Sequence, residues 1–434
     1  MRIAVYHNLH SGGAKHSTYE IVKWLAARHQ VDLYCPSTAD ADFFDLQESV
    51  EENIVFEFKP GRLFHSPLGR LNQLVRWRDL ARLEKTQRLI AAEIDQRGYD
   101  VAYVQPCQFT QHPSLLSYLQ TPSLYHSREP LRRLHEPTIP RPFDWSQGKH
   151  SEHPEQRRFF ERLDPLPRLY DRRLRQLEVR NARQATVTVT NSFFTREALY
   201  RLYGVNAFVV YHGVNSETFR PLGLAGEPFA QAQDRPFDQA QDRPFVLSVG
   251  ALTPAKGFDF IIESLGLVPK EIRPELVIVS NYQEPRERAY LEALATEKLV
   301  RLKMLTMITI DELVHLYNRA RATVCAQVLE PFGLVPLESM ACGTPVVAIA
   351  EGGLRESLTD GQTGLLVNRD PAEFAAAVER LLSDRTLAER LGQQGRADVC
   401  ERWTWEGTVR QIERYLVRAM QLSVMREKKC TAES

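Results

Sequence analysis

The chain opens on a β-branched run, Arg2 to Tyr6, followed by a polar loop, Asn8 to Lys15, and then apolar residues at helical spacing from Tyr19 to Ala27. That order predicts strand, loop and helix. Further apolar runs at Val31 to Cys35, Val101 to Gln105, Ser123 to His126, Val187 to Thr190 and Phe208 to Tyr211 predict later strands, with a charged helix at Arg172 to Ala182 and a helix cap at Ser192. A second series follows: strands at Phe245 to Val249, Glu275 to Ser280 and Thr323 to Ala326, with helices from Phe258, around Glu287 to Thr296 and at Asp311 to Ala320. Strands alternating with helices predict parallel, doubly wound sheets, whose ligands sit at the carboxyl ends of the strands.

Two stretches break the alternation. Leu131 to Pro167 is rich in Pro, Arg and His without a clear period, and reads as a long excursion beside the first domain. Between Pro221 and Phe245 lies a tandem octapeptide, AQAQDRPF from Ala230 and DQAQDRPF from Asp238, with the polar, low-complexity character of a linker. The predicted organisation is therefore an α/β N-terminal domain over residues 1–220, a linker over 221–244 and an α/β C-terminal domain over 245–402. The last segment, 403–434, is helical by spacing and has no strand after it, so it is expected to pack back on the first domain. A length of 434 residues suits two such cores.

Composition narrows the class. Lys plus Arg and Asp plus Glu are 55 each, so no global field draws the chain to nucleic acid or to an anionic membrane, and any basic surface must be local. Six widely separated cysteines fit neither a disulfide framework nor a zinc site, which points to a reducing compartment. The start runs directly into a strand, and no apolar run reaches the 18 or so residues a spanning helix needs. A cytoplasmic location is expected.

The chemistry concentrates in Glu330-Pro-Phe-Gly-Leu-Val-Pro-Leu-Glu338-Ser-Met-Ala-Cys-Gly343. After the strand Thr323 to Ala326, Gly333 turns a loop, Val335 to Cys342 forms a helix with Pro336 near its start, and Gly343 stops it. A helix opening beyond a strand's carboxyl end offers unpaired N–H groups and a positive dipole end, which suit a diphosphate. Glu330 and Glu338 bracket the loop, and carboxylates accept hydrogen bonds from adjacent sugar hydroxyls. One would grip a ribose and the other a transferred sugar.

This string resembles the signature of retaining glycosyltransferases of family 4, in which two glutamates flank a Phe-Gly-Leu turn. The resemblance continues through Gly250-Ala-Leu-Thr-Pro-Ala-Lys256-Gly257, Glu351-Gly-Gly-Leu-Arg-Glu356 and Asp360-Gly-Gln-Thr-Gly364, covering essentially the whole second domain. It implies the GT-B fold: two facing Rossmann-like domains with parallel sheets and a cleft between them that closes on the substrates. It also implies that Glu330 contacts the donor sugar, that Phe332, Gly333, Leu334 and Val335 contact it through backbone, that Glu338 holds the ribose and that Lys256 meets the donor diphosphate. Position 251 is alanine where the family often has arginine, which leaves one cation fewer for the leaving group.

In the first domain the resemblance rests on Gly12 and Gly13, where backbone approaches the donor without a Cβ, on His126 as the histidine touching the donor sugar, and on Tyr203-Gly-Val with His212-Gly-Val-Asn215. His7, His10 and His16 surround the glycine pair as alternatives for lining the cleft. Asp40-Ala-Asp42 has the Asp-x-Asp form that another glycosyltransferase fold uses for a metal, but it precedes any matching donor motif and reads as a solvated loop. No cofactor and no metal is expected. The implied reaction is front-face transfer of a sugar from a UDP-sugar or GDP-sugar to a hydroxyl of a glycan or lipid-linked acceptor. A nucleotide-sugar epimerase of the same architecture, revealed by free sugar formed without acceptor, and a non-catalytic nucleotide-sugar-binding subunit are the rival readings. The lack of Gly-x-Gly-x-x-Gly after the first strand argues against a dehydrogenase. Leu63 to Arg88 has the composition of a basic amphipathic helix, but Asp79 and Glu84 interrupt it, so peripheral membrane contact and an ordinary solvated face stand side by side.

Overall fold

The computed structural model describes residues 1–434 except 41–43, 65–70, 137–138, 143–164, 223–243, 283 and 434, with backbone alone at 426–433. Most of the Pro- and Arg-rich excursion, Asp42 and nearly all of the tandem octapeptide lie outside the described residues. The chain divides into two compact units, Met1–Tyr211 with Thr408–Ser434, and His212–Gly407.

Unit 1 holds a seven-stranded parallel sheet in the order β3-β2-β1-β4-β5-β6-β7, formed by Arg2–Asn8 (β1), Gln30–Pro36 (β2), Glu52–Phe56 (β3), Val101–Cys107 (β4), Ser123–Ser127 (β5), Val187–Thr190 (β6) and Phe208–Val209 (β7). Strand β3 lies in a stretch that sequence periodicity left unassigned. The central strands β1 and β4 are buried almost end to end, as expected of strands covered by helices on both faces. Helices Gly13–Ala26, Asn72–Arg97, Pro165–Ala182 and Phe193–Tyr203 supply that cover. Ser192 caps the last of these, its hydroxyl accepting from Thr195 N at 3.0 Å. A buried His112–Glu178 pair at 2.7 Å fastens Pro165–Ala182 to the segment after β4.

The helix Trp405–Glu433 completes unit 1 from Thr408 onward. Val409, Ile412, Leu416 and Ala419 recur at three- and four-residue spacing and are fully buried. Such burial stabilises by about 1.5–3 kcal/mol for each large aliphatic side chain. Tyr415 stacks on Phe208 with ring centroids 4.8 Å apart, and Glu413 pairs with Arg28 at 3.2 Å and His29 at 3.1 Å.

Unit 2 holds a six-stranded parallel sheet in the order β10-β9-β8-β11-β12-β13, from Phe245–Val249 (β8), Glu275–Ser280 (β9), Leu302–Thr306 (β10), Ala322–Cys325 (β11), Val346–Ile349 (β12) and Leu365–Val367 (β13). Each unit thus repeats the order of a Rossmann-like doubly wound sheet. The boundary expected after residue 220 falls at Tyr211/His212 instead. The reason is local bonding: Val214 bridges Thr404, Arg396 donates to the carbonyls of Ser216 and Phe219, and Asn318 donates to the carbonyl of Arg220. Among the described residues no helix is long and apolar enough to cross a membrane.

Candidate functional site

In unit 2 the strand order reverses between β8 and β11, so the connections leaving their carboxyl ends diverge and open a crevice there. The loop after β8 ends in a tight turn, Pro254–Lys256, before Gly257 starts the helix Phe258–Leu267. The loop after β11 passes through Glu330 to Gly333, which starts the helix Leu334–Ala341. The two loops are stitched together. Val328 N donates to Ala255 O at 2.9 Å, and a Cβ on Gly257 would lie 2.2 Å from Ala326 O. With φ at +66° as well, only glycine fits position 257.

On that seam Lys256 Nζ donates to Glu330 Oε2 at 2.8 Å. The side chains are 26% and 18% exposed, so both groups are fixed yet open to solvent. A third loop presses on the same spot from β12. Gly353 N donates to Glu330 O at 2.7 Å, and a Cβ on Gly353 would lie 2.4 Å from Pro331 O. The Glu351-Gly-Gly-Leu run is thus the surface on which the Glu330 loop rests.

Arg369, just past β13, ties these loops. Its guanidinium meets Glu351 in bidentate fashion at 2.7 and 2.8 Å and donates to the carbonyls of Ala326 at 3.1 Å and Gln327 at 3.0 Å. It lies 5.4 Å from the centre of the Phe260 ring. Sequence reasoning missed this residue. The available signal was a basic side chain directly after a strand's carboxyl end.

Glu338 sits in the helix Leu334–Ala341, one residue earlier in register than expected, with Pro336 in its first turn. The helix carries no acidic residue in that turn and no side-chain cap, so its first N–H groups keep their dipole end for an anion. Glu338 is buried, and Tyr317 OH donates to its Oε2 at 2.8 Å. Burial pushes the Glu338 carboxyl up to about 7, while the Tyr317 hydrogen bond pulls the other way. Phe332 is also buried, its ring against His212 at 5.3 Å and Trp403 at 5.6 Å, so only its backbone belongs to the loop surface. Leu334 and Val335 are half-buried at the helix start.

In unit 1 the corresponding reversal lies between β1 and β4. Gly12 caps the helix Gly13–Ala26 at φ 154°, a conformation that side-chain-bearing residues rarely adopt. His126, the penultimate residue of β5, has its ring fully buried and Nδ1 2.7 Å from Tyr103 OH. Arg128, also buried, donates to Thr18 Oγ1 at 3.2 Å and Gln105 Oε1 at 2.9 Å. Of the histidines around the glycine pair, His7 is buried and lowered to about 3 by desolvation, and His16 is lowered to about 4 by the same cause. Both rings are neutral at physiological pH. His10 is exposed. Asp40 lies beside Lys15, with Oδ1 3.8 Å from its Nζ. Among the described residues no three His, Cys, Asp or Glu side chains converge as metal ligands.

Residues 230–398 match the family described as glycosyl transferases group 1, and residues 11–218 match glycosyltransferase family 4. A D-inositol 3-phosphate glycosyltransferase of Acidothermus cellulolyticus is 38% identical over 237 residues, 52% of this chain and 51% of the relative. The chain spans about half the length of the curated relatives it matches. Among solved structures, sucrose-phosphate synthase from Thermosynechococcus elongatus aligns over 100% of both chains with a TM-score of 0.69 at 22% identity. The Anabaena HepE structure in complex with UDP-glucose aligns over 96% of this chain and 100% of its own, with a TM-score of 0.66 at 20% identity.

Proposed function

The chain belongs to the group 1 glycosyltransferases of family 4, and from that premise we propose that it moves a hexose or related sugar from a nucleoside-diphosphate donor to a hydroxyl acceptor, retaining the anomeric configuration. The observation that carries this reading is the meeting of Lys256, Glu330 and the uncapped start of Leu334–Ala341 at the β8/β11 reversal. A diphosphate needs cation and N–H donors, and that corner offers both. Glu330 is assigned to the hydroxyls of the transferred sugar, together with the backbone from Phe332 to Val335. Glu338, deeper along the same helix, is assigned to the ribose.

Catalysis then rests on the leaving group. Lys256 and the helix N–H groups stabilise charge as it develops on the departing diphosphate, whose oxygen accepts the acceptor's proton on the same face of the sugar. No side-chain nucleophile and no metal enters this scheme. In unit 1 the donor-side roles fall to the Gly12–Gly13 turn and to His126. The His126 ring is covered, so contact with a sugar requires it to be uncovered. His126→Ala separates the roles: a catalytic contact lowers turnover at an unchanged melting temperature, a packing role lowers both.

HepE was crystallised with UDP-glucose and a relative is named for D-inositol 3-phosphate, so UDP-glucose and phosphorylated polyols head the trial substrates. The purified protein is incubated with UDP- and GDP-sugars against glycan, lipid-linked and polyol-phosphate acceptors, with and without EDTA, and the product anomer is read by NMR. Retained configuration and EDTA-resistant transfer are expected. Inversion, dependence on manganese, or free sugar without acceptor would overturn the reading.

A further inference from the structure

The helix Asn72–Arg97 answers the question its sequence left open. Its core-facing side carries Leu80, Leu83, Gln87, Ile90, Ala91 and Ile94. Asp79 and Glu84, the two acids that interrupt the basic stretch, are turned away from solvent and engaged. Asp79 Oδ2 accepts from Gly61 N at 2.7 Å, and Glu84 Oε1 accepts from Tyr118 OH at 2.8 Å and Arg180 at 2.7 Å. What remains exposed between Leu71 and Leu89 is wholly apolar or cationic. Leu71, Leu74, Arg78, Ala81, Lys85 and Arg88 recur at alternating three- and four-residue steps, so they line one outward face.

That face is unusual for a helix with its back to a core. Leu74 and Leu89 are each 53% exposed and Trp77 40%, and Leu63 and Phe64 of the preceding segment are exposed beside Arg62. Arg76 and Arg82 flank the seam. Cations alone would suit any polyanion, but a sugar–phosphate backbone gives exposed Leu, Phe and Trp nothing to bury against. A bilayer surface with anionic headgroups takes both, the cations at the headgroups and the apolar side chains at the acyl boundary.

We propose that this face of unit 1 docks on an anionic lipid bilayer. The inference stands independently of the sugar-transfer reading, since it concerns adsorption and not turnover. Docking would present the protein to acceptors held in that surface.

The test is flotation of the purified full chain with vesicles of phosphatidylcholine alone and of phosphatidylcholine with phosphatidylglycerol, at low and high salt. Binding to the anionic vesicles only, weakened by salt, is expected. Leu74→Ser with Trp77→Ser should weaken it roughly tenfold or more, and Arg78→Glu with Lys85→Glu should weaken it at least as far, each with an unchanged melting temperature. All four positions are exposed, so folding should survive; a single Trp77→Ser serves should either pair fail to fold. Absent binding, equal binding to neutral vesicles, or binding indifferent to Leu74 and Trp77 would overturn the proposal. Binding to duplex DNA as tight as to vesicles, and equally indifferent to those two residues, would assign the face to a polyanion instead.

Discussion

Lys256 and Glu330 stand 74 residues apart in the chain, yet their side chains meet at 2.8 Å at the carboxyl ends of neighbouring strands. The ion pair fixes both side chains while leaving each partly open to solvent. A lysine ammonium has three donors, so beside Glu330 it has donors left for the phosphate of the proposed donor.

Lys256→Ala should therefore cost more than the loss of one surface charge. Alanine at 251 removes a cation that relatives by resemblance supply there, and Arg369 is committed to Glu351 and two carbonyls and does not replace it. Removing one preorganised donor from a developing charge lowers rate on the order of 100-fold to 1,000-fold. Single-turnover rate at saturating donor should fall that far while nucleotide affinity falls less. A loss under about tenfold would move the diphosphate elsewhere.

Glu338→Gln should change stability with pH in a defined direction. Burial raises the folded carboxyl from 4.5 to about 7, so across that window the folded state binds the proton more tightly than the unfolded chain. Its contribution is full below about 4.5 and is lost as pH rises through about 7, by on the order of 3 kcal/mol at most. Glutamine keeps an acceptor for Tyr317 without the charge. The variant should melt higher than wild type at pH 8 and close to it at pH 5. If ribose hydroxyls donate to this carboxylate, nucleotide affinity of the wild type should also rise between pH 6 and 8, and the variant should bind more weakly.

Much of this site was legible because it is written in consecutive residues. The β/α alternation and the turn at Gly333 follow from local rules, whereas Gly257 and the Glu330–Glu338 spacing were picked out by the family resemblance. The two sheets emerged for the same reason, since a parallel strand buried on both faces shows as an unbroken apolar run. Arg369 and Tyr317 were not legible. Each acts through a fold-brought neighbour, Arg369 on the Ala326–Gln327 carbonyls and Tyr317 on Glu338, and no periodicity records such pairs. Strands β3, β10 and β13, none of them named from the sequence, are only partly buried at sheet edges, which is why their pattern is weak, and β12, also unnamed, is a buried run of only four residues.

Arg369→Gln should loosen the Glu330 loop without touching the substrate. Its partners are about a quarter exposed, so the stability change should be small. Turnover should fall by roughly tenfold, a misplacement effect, and Arg369→Lys should recover little because a point charge cannot reproduce the bidentate fork. Unchanged kcat in both variants would show that the loop holds its place without this clamp.

Gly353→Ala tests the contact between the second and third loops. Its Cβ would fall 2.4 Å from Pro331 O and 2.6 Å from Phe332 Cα, both backbone atoms that cannot swing aside. Overpacking of this kind costs about 1–3 kcal/mol. A lower melting temperature together with a turnover deficit is expected; a variant with native melting and native rate would show that the two loops part freely.

The helix that closes unit 1 follows all of unit 2 in the chain. During synthesis the ribosome therefore delivers β1 to β7 long before Tyr415 and Glu413 exist to meet Phe208, Arg28 and His29. Unit 2 has every strand it needs as soon as it emerges, while the earlier-made unit waits with an apolar flank open. A nascent chain halted before Thr408 should carry one finished unit, the later one, and the exposed surface that draws chaperones should belong to the part translated first.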